Sequence, residues 1–346
     1  MPQRLPSFSI EKMGLPAPLF VFTASPYATM HVFIFTCKEG SMGTLFTALS
    51  PIFALIFIGY GLKRMRFPAE GFWPLLDKLT YYVLIPAMLV HKLSTVTLES
   101  STSAIIMVKI VLLALLLLSA ILMLIQHVMK FSGPVYSSIF QGAIRYNTYV
   151  YLALIDALYG DSGIVLAAFL ITFVIPFINV LSVSTFGIYV SEGRFSFKNL
   201  TKSVISNPLI LACLLGGFLN FSTIGLPFVF EPILKMLGAP GIPLGLLSIG
   251  VGLRFRSLGT FSPDFWVSSV AKLVIFPLMV WAACEIGDVE GMMRNVLILF
   301  AAMPTAAAAY ILARQMGGDV ALMSTLITGQ TLLAFGTLSI VLTFVL

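Results

Sequence analysis

Residues 141–161 read QGAIRYNTYVYLALIDALYGD and set Arg145, Tyr146 and Asn147 in the middle of an otherwise apolar run. A charged side chain at mid-bilayer costs roughly 2.5–3.5 kcal/mol on insertion scales, so an arginine placed there has a task. Residues 299–319, LFAAMPTAAAAYILARQMGGD, have the same shape. With Gly160-Asp161 laid on Gly318-Asp319, Tyr146-Asn147 falls on Pro304-Thr305. The two stretches read as interrupted membrane helices in corresponding positions of two halves. That pattern points to the binding site of a transporter.

The rest of the composition agrees with a membrane setting. The chain has 346 residues, 59% hydrophobic and 10% charged, with a mean hydropathy of +1.02. Soluble domains carry about 25% charged residues. The apolar runs are continuous over about 20 residues, the length of a spanning helix, and do not alternate as barrel strands do. The fold class expected is therefore an all-α integral membrane protein. The net charge of +6 lies in short loops between spans, which argues for topology and against nucleic acid. Cys37, Cys213 and Cys284 are odd in number and sit in apolar surroundings, and His31, His91 and His127 are isolated. Neither a disulfide framework nor a metal site is expected, and no cofactor motif is present.

Along the chain, residues 1–41 differ from residues 42–346. Pro2, Pro6, Pro16, Pro18 and Pro26 interrupt them too often for a good spanning helix. Met42 opens MGTLFTALSPIFALIFIGYGLKRMRF, which reads as a natural beginning. Residues 1–41 are accordingly read as a leader outside the main fold, from a misassigned start or as an extra anchor. Ten spans come after it: 44–62, 72–93, 103–126, 134–158, 163–190, 200–220, 227–253, 265–285, 292–314 and 320–346. Residues 42–190 and 200–346 form two five-helix halves joined by a short linker, 191–199.

The loops after odd-numbered spans hold Lys63, Arg64, Arg66, Lys130, Arg194, Lys198, Arg254, Arg256 and Arg314. Those after even-numbered spans hold Glu99, Asp161, Ser222, Asp288 and Glu290. Positive-inside logic puts the first set in the cytoplasm and both termini outside, that is, periplasmic for an inner-membrane protein. Five spans per half then make the halves inverted repeats.

The interruptions supply the candidate site. Broken backbone inside a membrane is tolerated beside protein or a wet cavity. Asn147 and Thr305 are both expected as N-caps of the helices after them. Ala306 to Ala309 favour helix and close approach. Two helix N-termini, each worth about half a positive charge, would face one point beside Arg145. Such a point attracts an anion, and a carboxylate suits the bidentate geometry of arginine. Arg145, Tyr146, Asn147 and Thr148 from the fourth span, with Met303, Pro304, Thr305 and Ala306 from the ninth, form the expected substrate site. Arg145 is also open to a structural ion pair or to snorkelling. Asp156 is eleven residues away, roughly 16 Å along a straight helix, so Asp77 is the expected protein partner. Asn207 and Gln330 are further supporting candidates.

Five motifs in order resemble those of the auxin efflux carrier family: LDKLTYYVLIPAMLV in the second span, QGAIRYNT in the fourth, SNPLI in the sixth, IPLGLLSIGVGL in the seventh and MPTAAAAYILA in the ninth. That family includes plant auxin exporters and bacterial carriers for malonate or malate. The resemblance covers residues 42–346. It implies ten helices in two inverted repeats, with the fourth and ninth broken and crossing. Plant members carry proline at both breaks. Here Pro304 matches in the ninth, whereas the fourth has Arg145-Tyr146-Asn147. The departure points to the bacterial branch and a small organic anion.

The expected function is a secondary transporter or facilitator of small organic anions, carboxylates such as malonate, malate or auxin-like acids, across the inner membrane by alternating access around a helix crossover, and not an enzyme. A coupling proton or sodium ion and a homodimer are left open by the sequence. No G-x-x-x-x-G-K-[ST] loop is present. A channel or a substrate-sensing receptor on the same fold is the alternative reading. A remote third is an intramembrane aspartyl protease using Asp161 and Asp319. The inverted topology sets those two residues on opposite membrane faces.

Overall fold

The computed structural model describes residues 39–95, 101–190, 207–222, 226, 229–255 and 261–345. Most of the expected leader and all of the expected linker 191–199 lie outside the described residues. The described chain is helical, with no strand among its residues. Among the described residues, five stretches are long and apolar enough to cross a membrane: Ile105–Met129, Gly133–Tyr189, Phe230–Gly252, Pro263–Ile286 and Val320–Thr343. The protein is an integral membrane protein.

Helix α1 is Glu39–Arg64. Helices α2 (Phe72–Leu79) and α3 (Ile85–Thr95) are joined by a π-helical turn, Thr80–Leu84. Then come α4 (Ser101–Met129), α5 (Gly133–Ile144) and α6 (Thr148–Tyr189). Past the linker lie α7 (Pro208–Phe221), α8 (Phe230–Gly238) and α9 (Gly241–Gly252). Helix α10 (Pro263–Val270) passes through a second π-helical turn, Ala271–Ile275, into α11 (Phe276–Ile286). The chain closes with α12 (Gly291–Ala302), α13 (Ala308–Met316) and α14 (Val320–Val345).

The solvent of these helices is lipid, and their surfaces show it. On α4, Leu113, Leu117 and Leu124 are exposed while Val111, Leu115, Leu118 and Leu122 are fully buried. Both faces are apolar, so packing rather than hydrophobicity distinguishes inside from outside. Close approach comes from small residues. A Cβ on Gly59 would stand 2.0 Å from the Leu247 carbonyl oxygen, and one on Gly250 would stand 1.8 Å from that of Ile56. The α1–α9 crossing therefore depends on two glycines, one from each half of the sequence.

The expected loop at 159–162 is a kink. Gly160 adopts φ 55°, ψ −143° inside α6, a backbone state open to glycine. There the chain doubles back on itself. The start of α5 meets the end of α6, with the Tyr136 and Tyr189 rings 4.6 Å apart. Two groups of helices result. Helix α1 lies against α9, and α3 against α7 and α8; α5 packs with α10 and α14, and α11 with α4 and α12. Helix α6 touches both groups.

Candidate functional site

Both expected interruptions are present, and they touch. Helix α5 ends at Ile144, and Arg145 turns extended, with φ −74° and ψ 155°. Helix α12 ends at Ala302, and Met303 does the same, with φ −65° and ψ 141°. The two non-helical segments are joined through the backbone, since the Asn147 N–H donates to the Pro304 carbonyl at 2.8 Å. A proline carbonyl remains an acceptor although its nitrogen donates nothing. Unpaired backbone is costly in lipid, and this bond offsets part of the cost of breaking two helices.

Side chains complete the crossing. The Asn147 Oδ1 accepts from the N–H groups of Tyr149 (3.1 Å) and Val150 (3.3 Å), capping α6 as expected. Gln330 of α14 holds both breaks at once. Its Oε1 accepts from the Thr305 N–H at 3.0 Å, and its Nε2 donates to the Gly142 carbonyl at 3.2 Å and to Ser268 Oγ at 3.4 Å. Thr305 is not the cap it was expected to be. Helix α13 starts only at Ala308, with Ala307 at its cap position, and the buried Thr305 hydroxyl has no partner among the described residues. The extended stretch runs to Thr305 and passes through a turn in which the Ala309 N–H meets the Ala306 carbonyl at 3.0 Å. The threonine is therefore too far upstream to reach the free N–H groups of α13. Asn207, by contrast, caps α7, accepting from Leu209 and Ile210 at 3.0 and 3.4 Å.

Arg145 keeps part of its surface open. Its Nη2 donates to Asn179 Oδ1 at 2.9 Å, and its Nε has no partner among the described residues. No carboxylate among the described residues pairs with it. Asp77, the expected partner, instead accepts from the Ser248 hydroxyl, so the role given to it by the sequence passes to the neutral Asn179. Asp156, excluded by distance, pairs with Lys92 at 3.6 Å.

Around the guanidinium the two helix groups meet. The ring of Tyr149, near the start of α6, lies over Gly245 of α9, where a Cβ would stand 2.8 Å from Cγ. Tyr81 lies near both Arg145 and the Asn207 side chain. Tyr146 is buried, its ring 4.5 Å from that of Phe300. Thr148 is half-buried, while Met303, Pro304 and Thr305 are buried and Ala306 is partly open.

Lys272 is missing from the residues singled out by the sequence. It is fully buried, and its ammonium has no hydrogen-bond partner among the described residues. The group lies 4.7 Å from the Phe276 ring centre and 5.7 Å from that of Phe300, in the last turn of α12. Each broken helix thus ends near a cation, Arg145 for α5 and Lys272 for α12, which suits the negative end of a helix dipole. The signal was available, since a lysine eight residues into the expected span 265–285 is as anomalous as Arg145.

The two aspartates of the protease alternative serve other ends. Asp161 pairs with Lys92. Asp319 caps α14, its carboxylate accepting from the Leu322 N–H at 2.8 Å, while its own N–H bonds the Pro134 carbonyl at 3.1 Å. Asp319 thus adjoins the start of α5, whereas Asp161 lies past the far end of the next helical segment.

An integral membrane protein with two interrupted helices joined at their breaks, and beside them a guanidinium that no carboxylate among the described residues pairs with, has the build of a transporter. Residues 192–342 match the family described as membrane transport protein. A protein of Methanothermobacter thermautotrophicus, named an uncharacterized transporter, is 27% identical over 295 residues, covering 85% of this chain and 95% of that protein. A second such transporter, from Methanocaldococcus jannaschii, is 22% identical over 283 residues, covering 79% and 90%. A Rhizobium meliloti protein provisionally named a malonate transporter is 24% identical over 141 residues, 40% of this chain and 44% of that protein. The second part of the chain is thus similar to membrane transport proteins, and most of its length is similar to proteins named as transporters.

Proposed function

We propose that the protein moves small organic anions across the inner membrane as a secondary transporter or facilitator, by alternating access around the helix crossover. The observation that carries this reading is Arg145. It is a half-buried arginine without a carboxylate among the described residues, its guanidinium held by a neutral amide beside two joined helix breaks. A fixed cation in a low-dielectric setting favours an anion, and arginine offers a carboxylate two parallel donors. The name of the Rhizobium meliloti relative favours a short carboxylate such as malonate. Met303, Pro304, Thr305 and Ala306 form the opposite wall of the site, beside Tyr146, Asn147 and Thr148. Asp77, Asn207 and Gln330 act as supports.

In this reading the ten spans form two inverted five-helix repeats with both termini periplasmic. The α1–α3 and α7–α9 group rocks against the remainder, with Arg145 at the boundary. One charge moved down a 100 mV potential gains about 2.3 kcal/mol, so anion export needs no further drive. Reporters fused after Asp161 and after Asp319 should fall on opposite sides of the membrane. The same side for both would refute the inversion.

The substrate class is tested by thermal unfolding of the purified protein against a panel of small carboxylates, with and without sodium. A ligand at a hundredfold excess over its Kd adds about 2.7 kcal/mol of apparent stability. A rise in midpoint with malonate or malate is expected. No shift with any carboxylate would overturn the anion reading, and a shift that appears only with sodium would identify the coupling ion.

A further inference from the structure

Gly133, Ser137, Gln141 and Arg145 recur every four residues, so they line one face of α5. Both ends of that line touch the second part of α6. A Cβ on Gly133 would stand 1.9 Å from the Tyr189 carbonyl oxygen, and Arg145 bonds Asn179. The two stretches run antiparallel, so Ser182, one turn beyond Asn179, comes level with Gln141. Ser137, Gln141 and Ser182 are 0% exposed. Among the described residues neither serine hydroxyl has a hydrogen-bond partner, nor does either end of the Gln141 carboxamide, nor Arg145 Nε. Hydroxyls in helices commonly bond the carbonyl four residues back, as Thr172 and Thr185 do on this same helix. Ser137 and Ser182 do not. Buried polar groups are nearly always partnered, so a run of unpartnered ones on two facing helices calls for a ligand or for water.

The run contains hydroxyls, a carboxamide and a guanidinium, and no carboxylate. Such a set gives hydrogen bonds to an anion and carries no charge that repels one. We infer that Ser137, Gln141 and Ser182 form a second carboxylate station one helical turn from Arg145, closed in this conformation and opened when α5 and α6 part. The inference rests on the reading of Arg145 as the anion's primary partner. Two sources fit the chemistry. One is the distal group of a dicarboxylate whose other end sits on Arg145. The other is a substrate's carboxylate in transit towards the Gly133–Tyr189 end of the helices.

The test uses the full chain in nanodiscs and proteoliposomes, with malonate and propionate as probes. Calorimetric affinities and initial uptake rates are compared for wild type, Gln141→Leu and Ser182→Ala. Both variants exchange an unpartnered polar group for an apolar one, and thermal unfolding checks that they remain folded. An affinity for malonate at least tenfold weaker, with propionate unchanged, supports the distal-carboxylate source. Unchanged affinities with at least tenfold slower uptake of both acids support transit. Wild-type behaviour in both variants overturns the station and leaves trapped water as the occupant. Equal weakening of both acids overturns it too, as a disturbance of Arg145. Failure of wild type to bind either acid is read before any variant is compared, and it refutes the primary Arg145 reading itself.

Discussion

Arg145→Ala is expected to abolish carboxylate uptake into proteoliposomes while the protein still inserts and elutes as a folded species. Truncating one member of a buried, hydrogen-bonded charge pair costs about 2–5 kcal/mol, which is roughly 30-fold to several-thousand-fold in affinity. The structural loss is smaller, because the guanidinium gives up a hydrogen bond to the neutral amide of Asn179 and no ion pair. Arg145→Lys sharpens the result. It keeps a positive charge but loses the two-pronged donor, so it should bind carboxylates more weakly than wild type and more strongly than alanine. Uptake by Arg145→Ala at the wild-type rate would remove this residue from the site. Absence of folded protein for both variants would instead assign Arg145 to the architecture.

Gln330→Met should damage the fold more than any change at Arg145. One carboxamide serves the Thr305 N–H, the Gly142 carbonyl and the Ser268 hydroxyl. Methionine matches its length and offers none of these bonds. Each buried group left without a partner costs about 1–3 kcal/mol, so two backbone groups together cost roughly 2–6 kcal/mol. The expected readout is a large fall in the thermal midpoint and in the yield of monodisperse protein, with carboxylate response lost as a consequence. A midpoint equal to wild type would mean that the breaks find other partners, and the crossover would need a different account.

The broken helices were legible because they violate a local rule. Arg145-Tyr146-Asn147 puts charge and amide into an apolar run, and Met303-Pro304 puts a ring where a donor is needed. Asn147 was legible as a cap for the same local reason. Thr305 was misread because a cap depends on where the next helix restarts. The alanines that favour helix also permit the turn that delays it to Ala308. Asp77 was favoured as the partner of Arg145 on charge alone. The actual contact, Asn179, stands 34 positions along the chain and becomes a neighbour only because α6 doubles back at Gly160. Gln330 was noted as an isolated polar residue, but its threefold role depends on three elements that share no local pattern. Lys272 obeyed the same rule as Arg145 and could have been singled out by it.

The bond between Asn147 and Pro304, and the Gln330–Gly142 bond that flanks it, run between residues 42–190 and 200–346. The α1–α9 crossing does likewise. Made as two separate polypeptides, each half would therefore enter the bilayer with backbone donors or acceptors turned towards hydrocarbon, and would be a target for quality-control proteolysis. Co-expression should rescue both, because each supplies what the other lacks. The smallest unit able to satisfy its own backbone in lipid is the interlocked pair of segments.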